Sequence, residues 1–155
     1  MKRLLAASAI AALAALPVTG PGTANAAPLC DQLGFAGLLA KCNRATLPTI
    51  TLGAGKPLLA EDAPLILESG AYYKLKIEAD GSQELALVGP QFFRAIWVNE
   101  VVINDLEIRP IGLDSFEFDD EGVIDMSFIA IKPGRYNLRI PGSKGDSQRV
   151  AIQIK

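Results

Sequence analysis

Few side chains of this 155-residue chain could do chemistry, because the sequence contains no histidine. The usual general base for a serine or cysteine nucleophile is therefore missing. Cys30 and Cys42 are the only cysteines. They lack the C-x-x-C spacing of redox enzymes, and two thiolates without imidazole make a poor metal site. We expect a disulfide between them, no catalytic residues and no cofactor.

A run of carboxylates late in the chain is the remaining chemical candidate. Glu117, Asp119, Asp120 and Glu121 lie within residues 114–125. Clustered carboxylates could bind a hard cation such as Ca²⁺, which takes six to eight oxygen ligands. The run lacks the D-x-[DN]-x-[DN]-G pattern of calcium loops, and it fits equally an exposed strand edge with its solvated turn. We predict the solvated turn and keep a carboxylate-based metal carrier or sensor as the alternative function.

The first residues have the pattern of an export signal. Lys2 and Arg3 precede an apolar run over residues 4–16, and Ala24-Asn25-Ala26 forms a small-residue cleavage site. The run is shorter than the about 20 residues that a membrane span needs. Residues 1–26 are therefore predicted to be a cleaved signal peptide, and its alanine-rich composition indicates the periplasm of a Gram-negative bacterium. A disulfide is expected to form in that oxidising compartment.

Charge and hydropathy limit the classes of partner that this chain is expected to bind. The formal net charge is −2 and no basic cluster is present, so nucleic acid is not an expected partner. No later stretch has the length of a membrane span. The expected partner is another periplasmic protein, and the sequence does not predict the oligomeric state.

The rest of the chain is organised as a short lead-in and a β domain. Residues 27–57 are predicted to hold a disulfide-bonded helix, Asp31–Lys41, and a short strand. Residues 58–155 show period-2 alternation, as in Tyr73, Leu75 and Ile77, which is typical of strands buried on one face. Seven or eight strands favour a two-sheet antiparallel sandwich. The predicted strands are Thr49–Leu52, Ala71–Glu78, Glu84–Val88, Phe92–Asn99, Val101–Ile108, Ser115–Phe118 and Val123–Ile131. In the last part of the chain, the residues predicted to face the core are Tyr136, Leu138, Ile140, Val150, Ile152 and Ile154.

An aromatic-rich stretch contains Phe92, Phe93, Ile96 and Trp97. As a strand it would carry apolar residues on both faces. That pattern suits a buried central strand, and it also suits a strand with one face that docks a partner. Both interpretations remain open on the sequence.

The segment Pro133-Gly134-Arg135-Tyr136 and the strand that follows it resemble the last part of the cupredoxins, the β-sandwich proteins that hold blue copper. The resemblance implies an all-β, Greek-key, cupredoxin-like sandwich. It places the copper-binding cysteine of the family at Leu138 or Ile140, its histidine at Ser143 and its methionine near Gln148. A blue-copper site needs two imidazoles and a thiolate, so the resemblance implies a copper-free member.

The function expected from this resemblance is that of an accessory. We expect an exported, copper-free binding module of a periplasmic redox or metal-handling system. In the copper-binding relatives, partners approach the end of the sandwich that carries the metal. The resemblance therefore implies partner contact through the 140–148 loop, with Pro141 and Lys144, in addition to the aromatic stretch at Phe92, Phe93 and Trp97.

Overall fold

The computed structural model describes residues 30–155, so the predicted signal peptide and its cleavage site lie outside the described residues. Within residues 30–155 the fold is a two-sheet β-sandwich, which confirms the predicted all-β class. No helix of this described part is long and apolar enough to cross a membrane. The strands, numbered along the chain, are β1 (Arg44–Thr46), β2 (Ile50–Leu52), β3 (Leu65–Leu67), β4 (Tyr72–Ala79), β5 (Leu85–Val88), β6 (Ile96–Ile103), β7 (Leu106–Ile108), β8 (Ser115–Phe118), β9 (Gly122–Ala130), β10 (Gly134–Arg139) and β11 (Arg149–Ile154).

The two sheets differ in size. The first has six strands in the order β1-β4-β9-β6-β7, with β2 also pairing with β4. The second has five strands in the order β3-β11-β10-β5-β8. The sheets are mixed, because β1 and β2 pair in parallel with β4, and β3 pairs in parallel with β11. The prediction of a purely antiparallel sandwich was wrong on this point, since alternation along one strand carries no information on the direction of its neighbour.

The predicted alternation places the core correctly. Tyr73, Leu75 and Ile77 are buried between the sheets, and Lys74 and Lys76 on the same strand are exposed. In β10, Leu138 is fully buried and Arg139 is exposed, so the predicted register is confirmed. The other predicted core residues, Ile140, Val150, Ile152 and Ile154, are buried, and Tyr136 is half-buried against the core.

The N-terminal segment contains the predicted disulfide. Cys30 and Cys42 are bonded, with their Cα atoms 5.7 Å apart. The helix predicted over Asp31–Lys41 is instead a 3₁₀ helix over Gly34–Leu39, followed by a second one over Lys41–Asn43. The first contains a kink at Gly37, whose φ of 57° is the left-handed conformation that glycine adopts without strain. Glycine thus breaks the α-helix that the leucine spacing indicates.

Asn43 attaches this segment to the first sheet. Its side chain is fully buried, and its Nδ2 atom donates hydrogen bonds of 2.8 Å to the carbonyls of Leu38 and Gly70. Gly70 lies just before β4, so the amide group links the disulfide-bonded segment to the start of that strand. β1 then begins at Arg44, directly after Asn43.

The aromatic stretch does not begin with a strand. Pro90 to Phe93 form a short helix, α1, with proline at its first turn, where its missing N–H is not needed. Phe92 and Phe93 are buried, and the Phe92 ring meets Phe128 edge-on at 5.6 Å. The predicted strand Phe92–Asn99 was therefore wrong at its start, since Pro90 initiates a helix that a run of apolar residues does not reveal.

The predicted strand Val101–Ile108 is divided in two. β6 runs from Ile96 to Ile103, and β7 returns from Leu106. Asn104 and Asp105 connect them with φ angles of 47° and 65°, as in the two-residue hairpin turns in which both central residues have positive φ. Asparagine and aspartate tolerate that conformation better than other non-glycine residues.

Candidate functional site

The connections of the sandwich are divided between two ends. One end, here called the loop end, carries residues 53–57, 80–84, 104–105, 119–121 and 140–148. The register places them together, because Leu52 pairs with Ala79, Ala79 pairs with Gly122, and Leu85 pairs with Phe118. The opposite end, here called the aromatic end, carries α1, the start of β6 with Trp97, and residues 131–133. The loop end is where the resemblance would place copper.

The position of the implied copper ligands is filled by aliphatic side chains. Leu138 is fully buried and Ile140 is 8% exposed, so both alternatives for the family's cysteine are core residues. Ser143, at the position of the histidine, donates a 2.7 Å hydrogen bond from its hydroxyl to the carbonyl of Ile140. Gly89 packs so closely on Leu138 that an added Cβ would collide with it. The described residues at this end do not fit a copper ion.

Hydrogen bonds and an ion pair hold the loop end closed. Lys56 Nζ lies 2.6 Å from Asp80 Oδ2, and Asp80 Oδ1 accepts a 2.9 Å hydrogen bond from the Ser82 backbone N–H. The Ser82 hydroxyl oxygen accepts from the Ala54 backbone N–H at 2.8 Å. The 140–148 loop joins this network, because Gln148 Nε2 donates to the carbonyl of Lys56.

Asp80 is the electrostatic centre of this network. Its hydrogen bond with Lys56 and its hydrogen bonds from Ser82 lower the pKa of its carboxyl far below the ordinary range. Lys56 and Asp80 are distant in sequence, and the parallel pairing of β2 with β4 brings them together, so the sequence alone does not predict this pair.

The acidic turn lies at the loop end as a solvated turn. Glu117 is exposed on β8, and Asp119, Asp120 and Glu121 are exposed in the connection that follows. Asp120 Oδ1 accepts a 2.8 Å hydrogen bond from the Glu121 backbone N–H, which uses one carboxylate oxygen within the turn. In residues 30–155 no group of three or more acidic or cysteine side chains could hold a metal ion.

The aromatic end has an apolar surface on the outer face of the first sheet. Trp97 pairs with Ile129, and Ile129 pairs with Tyr72, so the three lie in one row across β6, β9 and β4. Trp97 is 47% exposed and Ile131, two residues beyond Ile129 on the same face, is 53% exposed. Ile129 between them is only 5% exposed, so the exposed apolar surface, called the Trp97 patch below, consists of Trp97 and Ile131.

Basic side chains flank the Trp97 patch, and the Glu100 carboxylate lies one row away on the same face, where it contacts Arg109 at 3.4 Å. The Arg44 guanidinium lies 4.8 Å from the centre of the Tyr72 ring, a cation–π contact at the far end of the row. Lys74 is exposed two residues after Tyr72 on the same face of β4, and Lys132 is exposed next to Ile131. The patch thus has the apolar centre and polar rim that protein interfaces have.

The residues predicted to contact a partner do not form one surface. Phe92 and Phe93 are buried in the core, so of the aromatic stretch only Trp97 offers an exposed ring. Trp97 is exposed at the aromatic end. Pro141 and Lys144 are exposed at the loop end. The length of β6, Ile96–Ile103, separates the two ends, which at about 3.3 Å per residue is roughly 25 Å.

No known family matches the sequence, and no curated protein matches it significantly. Among solved structures, a multi-copper oxidase from Pseudomonas thermotolerans matches with 12% identity and a TM-score of 0.49, over 72% of this chain and 30% of that one. A blue copper oxidase from Nitrosomonas europaea matches with 16% identity and a TM-score of 0.45, over 59% and 30%. A multicopper oxidase from Campylobacter jejuni matches with 6% identity and a TM-score of 0.41, over 59% and 20%. The chain spans less than a third of the length of each of these enzymes.

Proposed function

We propose that this protein is an exported, copper-free, cupredoxin-like module that binds another protein of the same compartment, as an accessory of a redox or metal-handling system. The Trp97 patch is the observation that carries the proposal. An indole ring that is half exposed beside an exposed isoleucine is unusual for a solvated face. Tryptophan is also the residue most often found among the hot spots of interfaces.

The charge around the patch indicates which surface charge the partner should have. Arg44, Lys74 and Lys132 flank it, and Glu100 on the same face is paired with Arg109, whereas the chain as a whole has a net charge of −2. A partner with an apolar centre and an acidic rim would complement this surface and would be steered toward it. The oxidising compartment is supported by the Cys30–Cys42 bridge, since disulfides persist outside the reducing cytosol.

The module is proposed to bind and not to catalyse. The loop end, where the resemblance implies copper, is closed by Leu138, Ile140 and the Lys56–Asp80 pair. Pro141 and Lys144 are exposed there, but neither has a large apolar neighbour exposed within the 140–148 loop. We therefore assign the partner surface to the Trp97 patch, with the loop end as the surface to compare against it.

The chain offers a matched pair of variants for the test. Trp97→Glu places a charge in the patch, and Val123→Glu places the same charge on the outer face of the same sheet, near the loop end. Val123 is 45% exposed, close to the exposure of Trp97. After in situ cross-linking in periplasm, wild type and Val123→Glu should capture the same protein, and Trp97→Glu should lose it.

Trp97 also provides an intrinsic signal, because it is the only tryptophan of the chain. Titrating the captured partner, in a tryptophan-free form, should shift the emission of Trp97 to shorter wavelength as the indole is desolvated. A partner that binds Trp97→Glu as well as it binds wild type, or that leaves the emission unchanged, would contradict the proposal.

A further inference from the structure

The edge strand of the first sheet is open on its far side. β7 pairs with β6 and with no other described strand. Leu106 pairs with Ile103 and Ile108 pairs with Val101, so both side chains point to the core side of the sheet. They are nevertheless 63% and 40% exposed. The core side of β7 is therefore an uncovered apolar strip.

The turn before β7 fixes which of its backbone groups point outward. In a two-residue turn with positive φ at Asn104 and Asp105, the flanking residues Ile103 and Leu106 exchange both hydrogen bonds. Hydrogen-bonded and non-hydrogen-bonded pairs then alternate along an antiparallel ladder. Ile108 consequently bonds toward β6, and the N–H and C=O groups of Glu107 and Arg109 point away from the sheet.

We propose that two copies of this chain associate through these groups, by antiparallel pairing of β7 with β7 of the second copy about a two-fold axis at Ile108. In that register Glu107 lies opposite Arg109 of the second copy, and Arg109 lies opposite Glu107. Each of these pairs is a hydrogen-bonded one and joins opposite charges, which stabilises cross-strand neighbours. Ile108 meets its own symmetry mate on the apolar side.

Charges on an edge strand usually prevent such pairing, because a strand presented to its own copy brings like charges together. Here the sequence Glu107-Ile108-Arg109 is self-complementary. Arg109 contacts Glu107 at 3.1 Å and Glu100 at 3.4 Å within its own chain, but Arg109 and Glu107 are about 60% exposed. A guanidinium has five N–H donors, so it can serve a second carboxylate as well.

Pro110 does not obstruct the pairing. It would lie opposite Leu106 of the second copy, a position whose backbone groups point toward β6 and not toward the second chain. Proline is tolerated in edge strands under that condition. The two-fold axis is perpendicular to the sheet, so both Trp97 patches would face the same side of the dimer. The dimer itself uses a different surface and stands independently of the proposed function.

A single cysteine at the symmetry axis tests the geometry. Non-hydrogen-bonded antiparallel pairs have Cα atoms about 4.5 Å apart, within the range that a disulfide bridges. Ile108→Cys, expressed from the full 155-residue sequence, should therefore form a covalent dimer under mild oxidation, and the native cysteines are already paired. Glu107→Cys is the control, because its symmetry mate lies diagonally, about 7–8 Å away. Equal cross-linking of the two variants would overturn the proposed register.

A charge swap tests the pairing without a covalent bond. Sedimentation equilibrium of the wild type should show the mean mass rising toward twice that of the monomer with concentration. Glu107→Arg should weaken the dimer about tenfold by placing like charges opposite each other, and the double variant Glu107→Arg with Arg109→Glu should restore it. Thermal melts identify any variant that fails to fold. A wild type that stays monomeric at millimolar concentration, or a dimer that ignores both charge changes, would overturn the proposal.

Discussion

The loop end and the aromatic end belong to the same sandwich but are completed by different interactions. At the loop end, Lys56, Asp80 and Ser82 join connections that are distant in sequence, and Leu138 and Ile140 fill the interior beneath them. At the aromatic end, the interior is filled by Phe92 and Phe128, while Trp97 stays half exposed outside the sheet. The end where the resemblance would place copper is closed, and the opposite end carries the open apolar surface.

The two ends therefore differ in the property that protein binding requires, which is exposed apolar surface. The resemblance to cupredoxins would place copper at the loop end, yet the exposed apolar surface lies at the aromatic end. A fold family alone therefore does not locate the functional surface, which has to be argued from exposure, charge and contacts.

The largest effect is expected from Leu138→Ala. Leu138 is fully buried and packs against Gly89, so its truncation leaves a cavity beneath the loop end. We expect a loss of about 2–5 kcal/mol in the free energy of unfolding, measured by urea denaturation. Arg139→Ala, at the exposed neighbouring position, is the control. A larger effect for Arg139→Ala than for Leu138→Ala would mean that the register is displaced by one residue.

Cys42→Ala should act on the aromatic end. The disulfide closes the segment that Asn43 ties to Gly70 and that places Arg44 over Tyr72. Removing the bridge should destabilise the protein by about 2–4 kcal/mol by freeing the unfolded chain. Hydrogen exchange should increase around β1 and the start of β4.

The same variant distinguishes a local role of the bridge from a global one. The far-UV circular dichroism of the sandwich should remain, and amides near Lys56 and Asp80 should keep their protection. Complete loss of the β signal would show that the bridge is required for the whole fold. Two titratable thiols in the native wild-type protein would contradict the bridge itself.

These expectations also show which parts of the fold a single sequence can predict. Alternation at Tyr73, Leu75 and Ile77 or at Leu138 and Ile140 specified the buried faces, because period-2 patterns directly express one-sided burial. The parallel pairing of β2 with β4 was not predictable, since it depends on contacts remote in sequence. The Lys56–Asp80 pair was missed for that reason.

Local errors came from residues that override a pattern. Pro90 starts a helix where the apolar run Phe92-Phe93 indicated a strand, and Gly37 kinks a segment whose leucines indicated an α-helix. Of the predicted partner residues, Trp97 stands out in the sequence as the only tryptophan, but the sequence does not show that its side chain is exposed. Phe92 is buried and Trp97 is exposed because the chain changes from helix α1 to strand β6 between them.

A smaller, pH-dependent effect is expected at the loop end from Asp80→Asn. The Lys56 and Ser82 hydrogen bonds lower the pKa of Asp80 in the folded protein. Its carboxylate therefore contributes stability above the ordinary aspartate pKa of about 3.9, and that contribution is lost as the pH falls through the lowered folded-state pKa. Wild type should exceed Asp80→Asn in stability at neutral pH, and the two should converge in strong acid. Lys56→Met should remove the part of this pH dependence that comes from Lys56 and keep the part that comes from the Ser82 hydrogen bonds. A constant difference between wild type and Asp80→Asn at every pH would contradict this origin.

Adding copper is expected to change the visible absorption of the protein least of all, although a copper-binding cupredoxin would respond with an intense band. An intense blue band requires a thiolate and imidazoles on one copper ion, and this chain has no histidine and both cysteines bonded. Titrating Cu(II) into the protein should therefore give no such band.

Electron paramagnetic resonance sharpens the test, because copper held weakly by carboxylates would give a signal there without an intense visible band. If such a signal disappears in the Asp119→Asn, Asp120→Asn double variant, the acidic turn is a metal site and the carrier or sensor alternative is favoured over the binding module. A blue band in the wild type would contradict the argument from the missing ligands, because no opening of the loop end could supply an imidazole to the ion.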